Sequence, residues 1–201
     1  MASQKEKMLS GRPYIPWGDE LENERFRARK LIHTYNQLAP DEKEKAEKIL
    51  KELLGKTGVR FVIEPPFRCD YGYNIELGEN FYANFNLVIL DCARVSFGKN
   101  ALIGPDVGIY TAGHPVHPEL RNQEYEFAFP VTIGENVWIG GHVVINPGVC
   151  IGDNVVIGSG SVVTRDIPSG VIAIGNPCSV LREITEEDKI YYYKKLRFDE
   201  G

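Results

Sequence analysis

The sequence contains no run of eighteen apolar residues, and its first stretch, MASQKEKMLSGRPYIPW, has no apolar core like that of a signal peptide. It also has no cluster of lysines and arginines, and the formal net charge of its 201 residues is −5. Membrane-spanning helices need about 20 apolar residues, and nucleic acids and anionic membranes attract basic patches. We therefore expect a cytoplasmic protein that has neither a membrane nor a nucleic acid as its partner.

Cysteine is scarce as well, and no two cysteines lie close together in the chain. The four are Cys69, Cys92, Cys150 and Cys178. Disulfide frameworks and zinc sites show short, recurring cysteine spacings, often with histidines beside them. The sequence therefore predicts neither a disulfide nor a bound metal.

The most informative feature that is present is a period of six residues. One register carries Ile133, Ile139, Ile145, Ile151, Ile157 and Val163. A second register, four residues later, carries Val137, Val143, Val149, Val155, Ser161 and Ile167. A period of six residues matches neither the helical period of 3.6 nor the strand period of 2. A parallel β-helix lays down one short strand and one turn per six residues, so this repeat predicts that fold.

The same register runs upstream through Leu77, Ala83 and Ile89, and after a slip of two residues through Phe97, Ile103 and Ile109. The repeat lapses between Ile109 and Val131, in a stretch with three prolines and two of the four histidines. We expect a loop at about 112–130 that is expelled from one coil. The β-helix then spans 59–184 and forms a single structural unit with the segments on either side.

Those flanking segments are predicted to be helical and to cover the ends of the β-helix, where unpaired backbone groups are exposed. Residues 1–58 form an N-terminal cap with two amphipathic helices, GDELENERFRARKLIHTYNQL and PDEKEKAEKILKELLGK. In the first helix Phe26 and Tyr35 fall on the apolar stripe. Residues 185–201 begin with Thr185 and Asp188 in the pattern of a capping box, which predicts a short C-terminal helix.

Four segments together resemble the hexapeptide-repeat sugar O-acetyltransferases, and above all the maltose O-acetyltransferases, with galactoside and nodulation acetyltransferases close by. They are FYANFN (81–86), IYTAGHPVHP (109–118), NVWIGGHVVINPGV (136–149) and IGNPCSVLREI (174–184). The resemblance implies a left-handed parallel β-helix and a homotrimer with active sites between neighbouring subunits. It also implies transfer of an acetyl group from acetyl-CoA to a hydroxyl of a sugar of the maltose, glucose or galactoside type, without a metal.

A sugar hydroxyl is a poor nucleophile at neutral pH, so this reaction needs a base for its proton and a donor for the oxyanion that develops on the thioester. Histidine suits the role of base because its ordinary pKa of about 6.5 leaves much of it neutral. His114 lies where the repeat stops, and it matches the position of the catalytic base in the family. We therefore expect His114 to act as general base in a direct transfer.

The resemblance also assigns binding residues, position by position. For the acceptor sugar these are Arg25, Asp70, Tyr82, Asn84, Asp91 and Glu126. For coenzyme A they are Asn84, Trp138, Gly141, Ser159, Thr164, Arg165 and Arg182, with the Gly141 N–H as the oxyanion donor. The guanidinium groups of the two arginines suit phosphates.

At three positions this chain departs from the family pattern. Cys92 stands where galactoside enzymes carry a second acidic residue, and Ser179 stands where relatives often carry arginine. The acidic residue expected soon after Tyr14 is missing from the segment Ile15, Pro16 and Trp17. These departures leave the choice of acceptor sugar and of hydroxyl open.

Two other classes of function share this fold. Zinc-dependent carbonic anhydrases bind a metal through three histidines of adjacent coils, and this chain has His114, His117 and His142 but no His-x4-His pair. A non-catalytic, trimeric hexapeptide scaffold is the other alternative. A metal assay discriminates the first from an acetyltransferase, and release of thiol from acetyl-CoA in the presence of sugars discriminates the second.

Overall fold

The hexapeptide repeat folds as a parallel β-helix, in a computed structural model that describes residues 2–198. Its helices are α1 (Gln4–Leu9), α2 (Asp19–Asn36), α3 (Lys43–Leu53) and α4 (Pro118–Arg121), with a 3-10 turn at Glu186–Lys189. The first ten strands are β1 (Phe61–Ile63), β2 (Arg68–Cys69), β3 (Ile75–Glu76), β4 (Phe81–Ala83), β5 (Val88–Leu90), β6 (Val95–Phe97), β7 (Leu102–Ile103), β8 (Gly108–Tyr110), β9 (Ala112–Gly113) and β10 (Phe127–Ala128). The others are β11 (Val131–Ile133), β12 (Trp138–Ile139), β13 (Val144–Ile145), β14 (Cys150–Ile151), β15 (Val156–Ile157), β16 (Val162–Val163), β17 (Val171–Gly175), β18 (Cys178–Glu183), β19 (Tyr191–Tyr193) and β20 (Leu196–Arg197).

Successive strands turn through three sheets, which form the three sides of a prism. The seven-stranded sheet has the order β1-β4-β7-β12-β15-β17-β18, the five-stranded sheet β16-β13-β8-β5-β2, and the four-stranded sheet β14-β11-β6-β3. Pairing is parallel throughout these sheets until β18, which returns antiparallel to β17 and ends the stack.

The strand register locates the expelled loop. Trp138 pairs with Val156, eighteen residues later, which is one coil of three hexads. Leu102 pairs with Trp138, thirty-six residues later, so one extra coil length of chain leaves the prism between them and returns in register. The excursion follows β8, and its base is an antiparallel hairpin in which Gly113 pairs with Phe127.

The interior of the prism is filled by the two repeat registers that the sequence predicted. Ile145, for example, is completely buried and lies in register between Ile109 and Val163. Burying each of these aliphatic side chains is worth about 1.5–3 kcal/mol relative to leaving it exposed. The repeated Ile and Val positions therefore act as stacked layers of one continuous core.

One corner of the prism carries a ladder of asparagine side chains. Asn80 donates to the Oδ1 atom of Asn100 at 2.9 Å, Asn100 to that of Asn136 at 2.8 Å, and Asn136 to that of Asn154 at 2.9 Å. All four residues have φ between 56° and 59°. Asparagine tolerates this left-handed conformation better than most residues, which explains its recurrence at this corner.

The N-terminal segment packs helices against the first coil. In α2 the buried side chains are Leu21, Ala28, Ile32 and Tyr35. Phe26, expected on the buried stripe, is instead 57% exposed. The sequence also missed α1, which begins at a capping box formed by Ser3 and Glu6.

The predicted helix at 185–201 is wrong over the residues that the structure describes, and residues 199–201 lie outside them. The capping box of Thr185 and Asp188 is present, but it starts only a four-residue 3-10 turn. The chain then forms a hairpin of β19 and β20. Three consecutive tyrosines favour extended backbone, and Lys194 with φ of 50° makes the turn. Among residues 2–198, no helix is long and apolar enough to cross a membrane.

Candidate active site

Asp91 organises one corner of the prism, between the five-stranded and four-stranded sheets. Its Oδ1 atom accepts the N–H groups of Asp70 and Tyr71 at 3.0 and 2.9 Å, and its Oδ2 atom that of Gly72 at 2.7 Å. Burial raises the pKa of Asp91 to about 7, against three N–H groups that favour the carboxylate. Because Asp91 is 0% exposed, the expectation that it contacts a sugar is corrected: it holds the backbone of the neighbouring coil.

Asp70, which Asp91 positions, presents a half-buried carboxylate. Burial raises the pKa of Asp70, while the charge of Arg25 opposes that shift. The thiol of Cys92 donates to the Oδ2 atom of Asp70 at 3.6 Å. Because burial raises the pKa of Cys92 above its ordinary value, this thiol is a neutral donor beside the carboxylate.

Glu126 enters the same corner from the expelled loop. It exchanges both backbone hydrogen bonds with Tyr14 at 3.0 Å, and the Tyr14 hydroxyl donates to its Oε2 atom at 2.6 Å. Burial raises the pKa of Tyr14, which keeps the hydroxyl protonated as a donor. The sequence did not single out Tyr14 for this role, since the two residues are 112 positions apart.

Arg25, on α2, supplies the positive charge of this corner. Its Nη1 atom donates to the Tyr71 hydroxyl at 2.7 Å and its Nη2 atom to the Pro16 carbonyl at 2.6 Å. The guanidinium carbon lies 5.7 Å from the ring centroids of both Tyr71 and Trp17. We call this group, Arg25, Asp70, Asp91, Cys92, Glu126, Tyr14 and Tyr71, the carboxylate corner.

His114 lies beside the carboxylate corner. It follows Gly113, whose partner in the loop hairpin is Phe127, and Glu126 immediately precedes Phe127. His114 and Glu126 therefore stand at the same end of that hairpin. The imidazole is exposed and makes no hydrogen bond to the rest of residues 2–198. It is free to meet a ligand.

The other histidines of the middle of the chain lie elsewhere. His142 is at the corner between the seven-stranded and five-stranded sheets, with its Nε2 atom 3.7 Å from the Oδ2 atom of Asp106, and His117 precedes α4 in the loop. Within the described part of the chain, no group of three or more His, Cys, Asp or Glu side chains is arranged to hold a metal ion. Within one chain, the three histidines thus do not come together as a metal site.

A second group of expected site residues lies on the outer face of the seven-stranded sheet. The strand register aligns one outward row from sheet edge to sheet edge: Val62, Tyr82, Leu102, Trp138, Val156, Ile172 and Arg182. Trp138 at its centre is 55% exposed. We call this the exposed row. Six of its seven side chains are apolar or aromatic, so it suits a ligand or a protein surface better than water.

Gly141 lies at the corner that follows the exposed row. Its carbonyl accepts the Gly160 N–H at 2.9 Å, while its own N–H has no acceptor within residues 2–198. A Cβ atom at Gly104 would lie 2.6 Å from the Gly141 nitrogen, so only glycine at 104 leaves this amide undisturbed. Asn84 occupies the same corner, and its Oδ1 atom accepts the Phe85 N–H at 2.8 Å.

Four further positions expected to bind a cofactor are exposed: Ser159, Thr164, Arg165 and Arg182. The guanidinium of Arg182 is paired with a carboxylate in this structure. Its two terminal nitrogens contact the two Asp188 carboxylate oxygens at 2.8 and 2.6 Å, in a bidentate ion pair. This ion pair was not predicted from the sequence, because Asp188 was expected to serve only as a helix cap.

Within one chain, the candidate site is therefore divided between two corners. The carboxylate corner and His114 lie between the five-stranded and four-stranded sheets, where β8 leaves for the loop. Asn84 and Gly141 lie between the seven-stranded and five-stranded sheets, and Gly141 closely follows Trp138. A single prism does not bring His114 and Trp138 together.

Comparison with known families gives two matches. Residues 7–58 match the maltose acetyltransferase hexapeptide capping motif. Residues 130–165 match the bacterial transferase hexapeptide model of six repeats. The first match covers α2 and α3, and the second covers coils that follow the loop.

Individual proteins are similar over almost the full length. The galactoside O-acetyltransferase of Escherichia coli is 48% identical over 194 residues, which cover 96% of each chain. A solved galactoside acetyltransferase in complex with coenzyme A superposes with a TM-score of 0.95, at 48% identity and 98% coverage of both chains. A maltose O-acetyltransferase of Clostridium difficile superposes with a TM-score of 0.91, at 50% identity, covering 92% of this chain and 99% of that one.

Proposed function

Because the chain belongs to the hexapeptide-repeat acetyltransferases related to the galactoside and maltose enzymes, we propose that it moves an acetyl group from acetyl-CoA to a sugar hydroxyl. The observation that carries the proposal is the position of His114. It is the one histidine whose exposed ring stands beside a corner lined by carboxylates, an arginine and tyrosine hydroxyls. Such groups are the natural hydrogen-bond partners of a polyhydroxylated acceptor.

In the proposed mechanism the His114 imidazole accepts the proton of the sugar hydroxyl as its oxygen attacks the thioester carbonyl carbon. The C–O bond forms, and the oxyanion receives a hydrogen bond from the unpaired Gly141 N–H. The C–S bond then breaks, and the sulfur leaves as a thiol with the proton returned by His114. One proton is taken and one is given back, so no other acid or base is required.

For the coenzyme we propose the exposed row and the turns that follow it. Trp138 offers an apolar surface to the pantetheine arm, and Ser159 and Thr164 offer hydroxyls. Arg165 and Arg182 carry charges for the phosphates. Arg182 has to exchange its Asp188 partner for a phosphate, which is a cost that the ion pair at 2.6 Å imposes on coenzyme binding.

For the acceptor we propose direct contacts from Arg25, Asp70 and Glu126, with Asp91 acting through the backbone of Asp70. Tyr82 and Asn84 lie on the exposed row and at the corner that follows it. They would reach the same sugar only from a second chain. The acceptor class that this polar set supports is a glucoside, maltoside or galactoside.

We further propose that three chains assemble and that each active site forms between two of them. The division of the site between two corners supports this arrangement, and so does the exposed row, which a partner chain would shield from water. In each interface one chain contributes His114 and its neighbour contributes Trp138 and Gly141. The cytoplasmic location expected from the sequence also remains a prediction.

The decisive experiment measures thiol release from acetyl-CoA with glucose, maltose and galactosides. The His114→Ala variant should lose about 10²- to 10⁴-fold in kcat while its dissociation constant for acetyl-CoA stays the same. Unaltered turnover in this variant would refute the assignment of the base. A protein that releases no thiol with any acceptor would instead support the non-catalytic scaffold.

Mixed assemblies test the arrangement between chains. Neither His114→Ala nor Trp138→Asp alone should be active, but co-expressed chains should recover activity at interfaces that receive both intact residues. Mixed trimers that are no more active than either parent variant would place His114 and Trp138 in the same site of one chain.

A further inference from the structure

Trp17 is a large aromatic residue that the proposed mechanism does not use, and it is 53% exposed at the border of the carboxylate corner. Indole rings usually bury most of their surface, so an exposed ring at this border offers an apolar surface to a ligand. Trp17 follows Tyr14 by three residues and thus sits just beyond the bridge between Tyr14 and Glu126.

The backbone around Trp17 is held from two sides, so the ring has a defined place. Tyr14 is paired with Glu126 through both backbone hydrogen bonds. The Pro16 carbonyl accepts from the Arg25 guanidinium, whose carbon lies 5.7 Å from the Trp17 ring centroid. The same guanidinium bonds Tyr71, whose backbone N–H is held by Asp91.

This arrangement puts a half-exposed aromatic ring beside the Arg25 guanidinium, at the border of the corner whose carboxylates accept hydroxyl hydrogens. A pyranose ring has both complementary surfaces, since its hydroxyls project outward around the ring while its axial C–H groups form a flat apolar face. An acyclic polyol carries the same hydroxyls but presents no such flat face. The aromatic ring, and not the carboxylates, therefore distinguishes a pyranose from an acyclic polyol.

We propose that Trp17 is the stacking platform for the acceptor ring and makes the enzyme select pyranosides over open-chain polyols. This inference rests on the proposed sugar acetylation and adds a specificity-determining residue to it. Trp17 binds substrate and transition state alike, so its loss acts on KM for the acceptor and leaves kcat nearly unchanged.

The test compares Trp17→Ala with Trp17→Phe and with the matched control Phe26→Ala. Phe26 is 57% exposed on α2, where its ring lies 4.4 Å from the Lys30 ammonium and is not part of the carboxylate corner. Trp17→Ala should raise KM for glucose and maltose about tenfold, with KM for acetyl-CoA and for sorbitol unchanged. Trp17→Phe should restore most of the loss, and Phe26→Ala should match the parent.

A binding measurement gives a readout independent of turnover. The chain has two tryptophans, so in Trp138→Phe the emission reports Trp17 alone. Maltose should change that emission in a saturable way, and an equal concentration of sorbitol should not. If the parent enzyme acetylates pyranosides but Trp17→Ala keeps its KM for them, or loses equally with sorbitol, the platform is refuted while the proposed function stands. If the parent acetylates no sugar, both fall.

Discussion

Replacing Asn100 tests why one corner of the prism is lined by asparagine. Asn100 accepts a hydrogen bond from Asn80 at 2.9 Å and donates one to Asn136 at 2.8 Å, with φ of 59°. Asn100→Gly removes both side-chain bonds and keeps a residue that adopts this backbone freely. Asn100→Ala removes the same bonds and also places a Cβ atom in the left-handed region.

The expected magnitudes follow from these two differences. A side-chain hydrogen bond contributes about 0.5–1.5 kcal/mol net, and the low end applies here because the ladder is partly exposed. Asn100→Gly should therefore cost about 1 kcal/mol or slightly more. Alanine should cost about 1 kcal/mol beyond glycine, since positive φ strains it. Alanine is thus less stable than glycine here, the reverse of their order in a helix.

Urea unfolding at one fixed protein concentration measures these differences, because assembly shifts apparent stability. The control is Lys99→Ala, whose exposed ion pair with Glu135 at 3.0 Å should contribute less than about 0.5 kcal/mol. Alanine as stable as glycine would show that positive φ does not select asparagine. Both variants as stable as the parent would show that the ladder adds nothing.

Two further predictions concern the core and the coenzyme site. Ile151→Asp should unfold the chain or cost more than about 4 kcal/mol in urea titrations, because Ile151 is 1% exposed and stacks between Ile133 and Ile167. Thr132→Asp, on the outer face of the same sheet, should melt within a few degrees of the parent, and a similar loss there would refute the inward register. Asp188→Asn should lower KM for acetyl-CoA several-fold by freeing Arg182, and a raised KM would show that the ion pair prepares the arginine for its ligand.

The β-helix was predictable because every hexad of the repeat has the same packing requirement. Ile145 and its counterparts each need only a neighbour one coil away, and the register supplies it. The expelled loop was predictable for the converse reason, since the repeat stops and resumes. The C-terminal hairpin was not, because a capping box at Thr185 and Asp188 starts a 3-10 turn as readily as a helix.

The site was only partly predictable from the residues. Resemblance pointed to His114, whose role stays a prediction, and it placed Asp91 against the sugar. Only the buried carboxylate with its three N–H partners shows the positioning role of Asp91. Tyr14 and Gly104 escaped notice because their partners, Glu126 and Gly141, are distant in sequence and carry no local pattern. Contacts of that kind arise when the coil brings separate stretches together.

The expelled loop departs from β8 and rejoins at β11 one full coil length later, so the layers above and below it remain aligned. Insertions, deletions or exchanges in this loop can therefore leave every ladder of the scaffold in place. The stability of the scaffold and the chemistry of the loop can therefore evolve separately in one protein. Changes in the loop then alter the corner that it reaches, while the stacked coils of the prism keep their register.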